Sequence, residues 1–165
     1  LESLLESGGG SVVTGGKADH LERWMSPAVV TGPDPSSPLM QDEIFGPILP
    51  VVEVDSIAEA VGFVADRPKP LSLYLFTKSR ETQRTVIERT SSGGVCVNHV
   101  LMQILVPELP FGGVGESGTG AYHGRAGFEE LSHRKPVLRR GFRPDLSFVY
   151  PPLDRRKERI LRKVL

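Results

Sequence analysis

The chain has 165 residues, enough for one domain with a hydrophobic core, and its 20 basic residues balance its 20 acidic ones. This balance gives no indication of nucleic-acid binding, and a single cysteine excludes an internal disulfide and fits a reducing compartment. No apolar run approaches the roughly 18 residues of a membrane-spanning helix, and no signal peptide opens the chain. We therefore expect a cytoplasmic protein, with a peripheral membrane location as the alternative.

The amino-terminal part is predicted to alternate between regular elements and loops. The predicted order is a helix over 1–7 ended by three glycines, a strand over 11–14, a surface loop or brief helical turn over 17–24, a strand over 28–31, and a proline-rich, nonhelical loop over 32–38. Because the helical pattern is already present at Leu1, we expect the sequence to continue upstream.

The stretch Gln41-Asp-Glu-Ile-Phe-Gly-Pro47 places a carboxylate and an aromatic ring two residues apart. In an extended segment Glu43 and Phe45 would share one face, while Ile44 would turn into the core. A carboxylate can accept two hydrogen bonds from a ribose diol, and a phenyl ring can pack on a flat heterocycle. The pair therefore suits a nucleotide cofactor, and the alternative is a surface acid before a core phenylalanine.

The middle of the chain follows the pattern of an α/β protein. The predicted elements are a strand over 48–54, a helix over 57–66, a strand over 71–77, a helix over 80–89 and a strand over 93–98. The first of these strands is strongly apolar and is expected to be central in a sheet. Ser56 with Glu59 forms a capping box, Ser79 caps the second helix, and Val86 and Ile87 are expected to point inward. This order predicts parallel strands with right-handed crossovers.

Candidate ligand-binding residues follow the last of these strands. Asn98 lies at its carboxyl end, where ligands of parallel sheets bind. Residues 111–120 form a glycine-rich crossing without the Gly-Lys-Ser/Thr of a phosphate-binding loop. A helix over 122–131 and a final strand, Pro136-Val-Leu-Arg139, are predicted after it.

These motifs together resemble the aldehyde dehydrogenase family. The resemblance rests on EIFGP at 43–47, SSGGV-x-VN at 91–98 and PFGG-x-G-x-SG at 110–118, and it runs in register from Leu1 to about Arg140. GAYHG at 120–124, Leu131-Ser-His133 and Tyr150-Pro-Pro152 are similar to the class 3 branch, which includes fatty aldehyde dehydrogenases.

The resemblance implies an α/β fold: the carboxyl-terminal part of the catalytic domain, a parallel sheet with flanking helices, over 1–133. It further implies a dimerisation strand over 134–141, through which Pro136 to Arg139 would join the sheet of a second copy to form a homodimer, and a basic tail over 142–165.

The implied reaction is the oxidation of an aldehyde to a carboxylic acid with NAD or NADP, through a cysteine thiohemiacetal. Neither the cysteine motif, the general-base glutamate motif nor the dinucleotide-binding domain of the family is in this sequence. Cys96 lies between Val95 and Val97 and is interpreted as a buried small hydrophobe. We therefore assign no catalytic residue and expect the chain alone to be inactive.

Carried over residue by residue, the resemblance makes Glu43 the glutamate that holds the ribose next to nicotinamide and Phe45 the ring that helps to position it. Asn98 and Phe111 match positions near the substrate pocket, with Phe111 lining the channel for the aldehyde's tail. Asn98 has the alternative of a strand-end turn residue. Gly112, Gly113 and Gly115 are assigned to backbone packing, and the four histidines lack the spacing of a metal site.

The carboxyl-terminal segment is basic, with 11 Lys or Arg against 3 Asp or Glu from Arg134 onward. The pattern over Leu153 to Leu165 predicts a helix with one apolar face. This helix would lie on an anionic membrane, dock on the protein itself or remain solvated. A further alternative for the whole chain is a noncatalytic dimerisation or binding module derived from an aldehyde dehydrogenase.

Overall fold

A computed structural model describes residues 1–143 and 145–164 and divides the chain into two units, Leu1–Glu130 and Leu131–Leu165, called here the body unit and the tail unit. The helices are α1 (Glu2–Ser7), α2 (Pro38–Gln41), α3 (Ile57–Ala65), α4 (Arg80–Arg89), α5 (Gly124–Glu130) and α6 (Arg155–Val164). The strands are β1 (Ser11–Thr14), β2 (Ala18–Asp19), β3 (Trp24–Met25), β4 (Ala28–Thr31), β5 (Ile48–Val51), β6 (Ser72–Leu75) and β7 (Gly94–Val97). Short 3₁₀ turns cover Met102–Leu105, Gly115–Ser117 and Ser147–Val149.

The first sheet of the body unit has the order β1-β4-β5, with β1 antiparallel and β5 parallel to β4. The prediction that the strand after the Glu43 motif is central is wrong, because β4 holds the central position. Pro50 lies within β5 and has no N–H to donate, which suits a strand at the sheet edge. Leu49, also in β5, is exposed.

The hydrophobic core lies on one face of β4. It consists of Ala28, Val30, Leu39 and Ile48, against which Leu4, Leu5, Met25 and Ile44 pack. Leu39 comes from α2, which starts at Pro38, where the missing N–H has no helical partner to lose. The nonhelical loop therefore ends at Ser37, one residue earlier than predicted.

Residues 17–24 form most of a small hairpin rather than the predicted surface loop or helical turn. β2 and β3 pair antiparallel, with Ala18 opposite Met25 and Asp19 opposite Trp24. The turn between them is organised by Asp19, whose Oδ1 accepts hydrogen bonds from the backbone N–H groups of Leu21 (2.9 Å) and Glu22 (3.1 Å). A side chain that bonds its own turn offers the backbone an alternative to a helical turn.

The second sheet is the parallel pair β6 and β7, joined by α4. The predicted parallel pairing is thus confirmed for β6 with β7 but not for β5 with β6, because among the described residues β5 pairs with β4 and lies in a separate sheet. Alternation of strand and helix predicts strand direction, but it does not determine which strands become neighbours.

The predicted helix caps are confirmed. Ser56 Oγ accepts a hydrogen bond from Glu59 N at α3, and Ser79 Oγ accepts one from Thr82 N at α4. Glu59 returns its carboxylate to the N–H of Asp55, one residue before the predicted position. The prediction that both Val86 and Ile87 point inward is confirmed for Val86, which is buried, and wrong for Ile87, which is exposed. Successive helical residues lie about 100° apart, so both cannot face the core.

The tail unit contains α6 and the turn Ser147–Val149. Asp154 caps α6, since its Oδ1 accepts hydrogen bonds from Lys157 N (2.8 Å) and Arg156 N (2.9 Å). The Lys157 N–H bond is the main reason that the pKa of Asp154 lies below its ordinary value. The helix accordingly begins at Arg155 rather than at the predicted Leu153.

Residues 136–139 belong to no strand of the described chain. These residues find no strand to pair with among the described residues of one copy, and the pairing of this segment with a second copy stays a prediction. Pro144 and Leu165, which fall in the predicted basic tail, lie outside the described residues.

Candidate functional site

Glu43 is presented to solvent by the segment that leaves α2. The helix ends where Asp42 N donates to Pro38 O, and Ile44 packs against the core as predicted. The side chain of Glu43 is exposed and makes no hydrogen bond or ion pair within the described part of the chain. Its carboxylate is therefore available to an external donor.

A cavity of about 480 Å³ lies beside this carboxylate. Its lining includes Glu43 and Asp42, together with Arg67, Lys69 and Glu116. Sequence reasoning missed the two cations. The signal for Lys69 is the run Pro68-Lys69-Pro70, because prolines on either side of a basic residue hold it in an irregular segment where its charge stays accessible. Arg67 is half-buried, with its guanidinium 3.5 Å from the centroid of the Phe63 ring.

Phe45 does not line this cavity, and the expectation of one extended face shared with Glu43 is wrong. The backbone of Phe45 has φ +43°, in the left-handed region, which ends the alternation of an extended segment. Its ring is 91% exposed. The backbone of Phe45 is strained by its positive φ, and its ring is left exposed to solvent. Strained residues of this kind cluster at sites that contact ligands.

Both residues fit the nucleotide cofactor that the sequence predicts. The free carboxylate of Glu43 has the acceptors that a ribose diol requires, and the exposed ring of Phe45 has an open face for a planar group. No neighbouring side chain of the described residues would have to be displaced from the Glu43 carboxylate.

Asn98 directly follows β7 and has φ +59°, and its side chain is paired with Thr77, which lies two residues after the end of β6. Oδ1 accepts a hydrogen bond from Thr77 N (2.8 Å), and Nδ2 donates to Thr77 O (3.0 Å). Thr77 Oγ1 in turn accepts from Ser79 N, next to the cap of α4. The amide of Asn98 therefore fastens the carboxyl ends of β6 and β7 together.

Replacing Asn98 with alanine is expected to lower the free energy of unfolding by about 2–3 kcal/mol, since two hydrogen bonds of about 1 kcal/mol each are lost and alanine is disfavoured at positive φ. Asn98→Gly, which tolerates the backbone conformation, should recover about 1 kcal/mol of that loss. Urea denaturation of both variants measures the difference. Unchanged stability of Asn98→Ala would contradict this anchoring role.

Phe111 is half-buried in an aromatic cluster at the start of the glycine-rich crossing. It exchanges both backbone hydrogen bonds with Tyr122 at 2.9 Å, and the two rings meet edge to face with centroids 5.7 Å apart. The His123 ring lies 4.4 Å from that of Tyr122, and His123 Nδ1 is buried without a partner among the described residues. The Phe111 ring is thus packed against the rings of Tyr122 and His123.

The glycines of the crossing allow backbone to approach backbone. A Cβ on Gly112 would lie 2.1 Å from Gly120 O, and one on Gly113 would lie 2.1 Å from Ser117 O. Gly115 differs, because it is required for its φ of +64° and not for space. These contacts are internal, in agreement with the packing role assigned from the sequence.

The other candidate groups are placed as follows. Cys96 is half-buried within β7. Within residues 1–143 and 145–164, no three His, Cys, Asp or Glu side chains come together as a metal site would require.

The chain contains the parallel unit β6–α4–β7, which is followed in the sequence by the glycine-rich crossing. This arrangement defines an α/β protein. The model of the aldehyde dehydrogenase family matches residues 3–137, and the chain belongs to this family.

Relatives in class 3 are among the similar proteins, which confirms that resemblance. The chain is 47% identical to aldehyde dehydrogenase family 3 member A2 of Rattus norvegicus over 154 residues, 92% of this chain and 31% of the relative. It is 48% identical over 143 residues to the mouse protein named aldehyde dehydrogenase, dimeric NADP-preferring, covering 86% of this chain and 32% of that one. The chain thus spans about a third of the length of these relatives.

Solved structures agree with this assignment. The substrate-bound state of Staphylococcus aureus AldH superposes with a TM-score of 0.80 at 40% identity, covering 99% of this chain and 36% of that one. Pseudomonas syringae AldC, solved with NAD+ and octanal, gives a TM-score of 0.68 at 32% identity over 78% of this chain and 27% of that one.

Proposed function

We propose that this chain is the carboxyl-terminal part of the catalytic domain of an NAD(P)-dependent oxidoreductase that converts aldehydes to carboxylic acids. The observation that carries the proposal is the free carboxylate of Glu43, exposed beside a cavity in a chain of the aldehyde dehydrogenase family. The nucleophilic cysteine and the dinucleotide-binding domain belong to a part of the enzyme that this chain does not contain.

In this proposal Glu43 accepts hydrogen bonds from the two ribose hydroxyls of the cofactor, and Phe45 packs on its planar ring. The bound nicotinamide cofactor supplies the acceptor for the electron pair that the aldehyde carbon loses. The Phe111 ring forms one wall for the apolar tail of the aldehyde. Asn98 is assigned here as a positioning residue, since its amide is engaged by Thr77 and holds the ends of β6 and β7 together.

The cofactor contact is tested in a chimera, in which this chain replaces the matching segment of the mouse relative. Glu43→Ala is expected to raise the KM for NAD or NADP by about 10- to 100-fold, because a hydrogen bond to a charged group contributes about 1.5–3 kcal/mol. Formation of NAD(P)H with an aldehyde substrate provides the measurement.

The matched control is Glu53→Ala, which removes another exposed carboxylate without a partner among the described residues and should leave the KM unchanged. The isolated chain should form no NAD(P)H. The proposal would be contradicted if Glu43→Ala and Glu53→Ala changed the KM equally. It would also be contradicted if the isolated chain were active and lost that activity with Glu43→Ala.

We further propose that Pro136 to Arg139 pairs with a second copy to form a homodimer. Leu138 is exposed and residues 136–139 have no ladder partner among the described residues, as an added strand requires. Deleting residues 136–139 from the chimera is expected to halve its mass in light scattering. Phe142→Ser removes an exposed apolar side chain outside this stretch and should leave the mass unchanged. A dimer that survives the deletion rules out this strand as the interface.

A further inference from the structure

A second cavity of the body unit, of about 290 Å³, lies where α3 and α4 end. Its lining includes three cations, Arg67, Lys69 and Arg89, and one carboxylate, Glu88. Three positive charges against one negative charge leave a net charge of +2 around the cavity. Ser91 adds a hydroxyl group that makes no hydrogen bond within the described chain. We call this site the cationic pocket.

Arg67 is fixed in the cationic pocket by groups that leave its charge uncompensated. Its Nη1 donates to Phe63 O at 3.0 Å, and its guanidinium carbon lies 3.5 Å from the centroid of the Phe63 ring. Its Nε is buried without a hydrogen-bond partner, and no carboxylate of the described residues forms an ion pair with it. Because a charge that is partly removed from water is costly unless it is paired, an anion in the pocket would supply the missing partner.

Lys69 and Arg89 bring two further charges to the pocket from different segments. Lys69 lies between two prolines outside regular structure, and Arg89 lies in the last turn of α4. Both residues are exposed, and neither forms a hydrogen bond or an ion pair in the part of the chain that the structure describes. Glu88 lines the same pocket and forms no ion pair with any of the three cations. Like charges around one cavity repel one another, and a multiply charged anion would relieve this repulsion.

We propose that the cationic pocket binds the phosphate group of a small molecule. A phosphate ester carries a charge of about −1.5 to −2 at neutral pH, which matches the net charge of the lining, whereas a carboxylate would leave about half of it uncompensated. An arginine guanidinium fits phosphate oxygens with two parallel hydrogen bonds, Lys69 adds a point charge, and the Ser91 hydroxyl can donate.

The size of the pocket favours a small ligand. Its volume of about 290 Å³ lies near the lower limit of about 300 Å³ for small-molecule sites. Glu43 does not line this pocket, so phosphate binding here does not depend on the cofactor contact proposed above.

The test is calorimetric titration of the full chain with inorganic pyrophosphate in buffer free of divalent metal ions. The double variant Lys69→Gln and Arg89→Gln removes two cations of the pocket, and glutamine is a good helix former at the end of α4. Each lost contact to a charged group corresponds to at least about tenfold, so the Kd should rise by about 100-fold. Arg67 is left in place, because its contact with the Phe63 ring belongs to the packing of the body unit. Lys69→Gln alone, which leaves α4 untouched, should raise the Kd by about tenfold.

The matched control is Lys78→Gln and Arg84→Gln, which also removes one exposed lysine and one exposed arginine of α4 and the residues before it. Neither residue lines the cationic pocket, so the Kd for pyrophosphate should not change. Acetate, which carries a single charge, should bind the unmodified chain at least about tenfold more weakly than pyrophosphate.

Adenosine monophosphate, titrated in parallel, distinguishes the two sources of a phosphate group. Binding tighter than that of pyrophosphate would identify a phosphate ester as the ligand, and weaker binding would identify a free inorganic phosphate. Three results would overturn the proposal: no uptake of either compound by the unmodified chain, equal losses in the two double variants, or acetate binding as tight as that of pyrophosphate.

Discussion

Replacing Leu39 with alanine is expected to lower the free energy of unfolding by about 2–5 kcal/mol, the range for a buried leucine truncated to alanine. Leu39 is 1% exposed and belongs to the core cluster with Val30 and Ile48. The tightness of its site is shown at Gly8, where an added Cβ would lie 2.6 Å from Leu39 Cδ2. A shorter side chain leaves a cavity that this packed surrounding can fill only in part.

The matched control is Leu21→Ala in the hairpin, where the leucine is 94% exposed and the change in stability should stay within about 0.5 kcal/mol. Urea denaturation followed by the fluorescence of Trp24 compares the two variants. Similar midpoints for Leu39→Ala and Leu21→Ala would show that α2 is not anchored in the core.

Gly112→Ala is expected to destabilise the body unit by at least about 3 kcal/mol, at the upper end of the cost of overpacking. The added methyl group would lie 2.1 Å from Gly120 O and 2.7 Å from Ala121 Cα. Both neighbours are backbone atoms, so no side chain can rotate away. The crossing would have to separate, together with the bridge between Phe111 and Tyr122.

Gly62→Ala provides the opposite control. Gly62 lies inside α3 with nothing within 4 Å of the position of an added Cβ, so alanine should stabilise the protein by about 0.5–1 kcal/mol. Denaturation midpoints that move in opposite directions would confirm the close approach at Gly112. A Gly112→Ala protein as stable as the unmodified chain would refute it.

The proposed cofactor contact depends on the core, because Glu43 lies in the chain between two residues that pack in it. Leu39 anchors α2, the helix ends at Gln41, and Glu43 follows while Ile44 returns to the core. The carboxylate is therefore held between two core contacts. Loss of Leu39 should loosen the position of Glu43 as well as the fold.

Local chemistry was readable from the sequence. The caps at Ser56 and Ser79 follow from hydroxyl groups at the starts of helices, which act within a few residues. The parallel pairing of β6 with β7 follows from the intervening helix. Motifs at 43–47, 91–98 and 110–118 were enough to indicate the family that the comparison over residues 3–137 established.

Three features were decided only by the tertiary structure. β4 and not β5 is central, Phe45 turns left-handed beside Glu43, and the Asn98 amide is engaged by Thr77, 21 residues away. Each depends on which distant segments meet, whereas periodicity and propensity describe only neighbours along the chain. The sequence by itself therefore determined the longer helices and strands of the α/β unit, the caps of α3 and α4, and the family. Packing between elements decided the strand order and which candidate side chains remain free to meet a ligand.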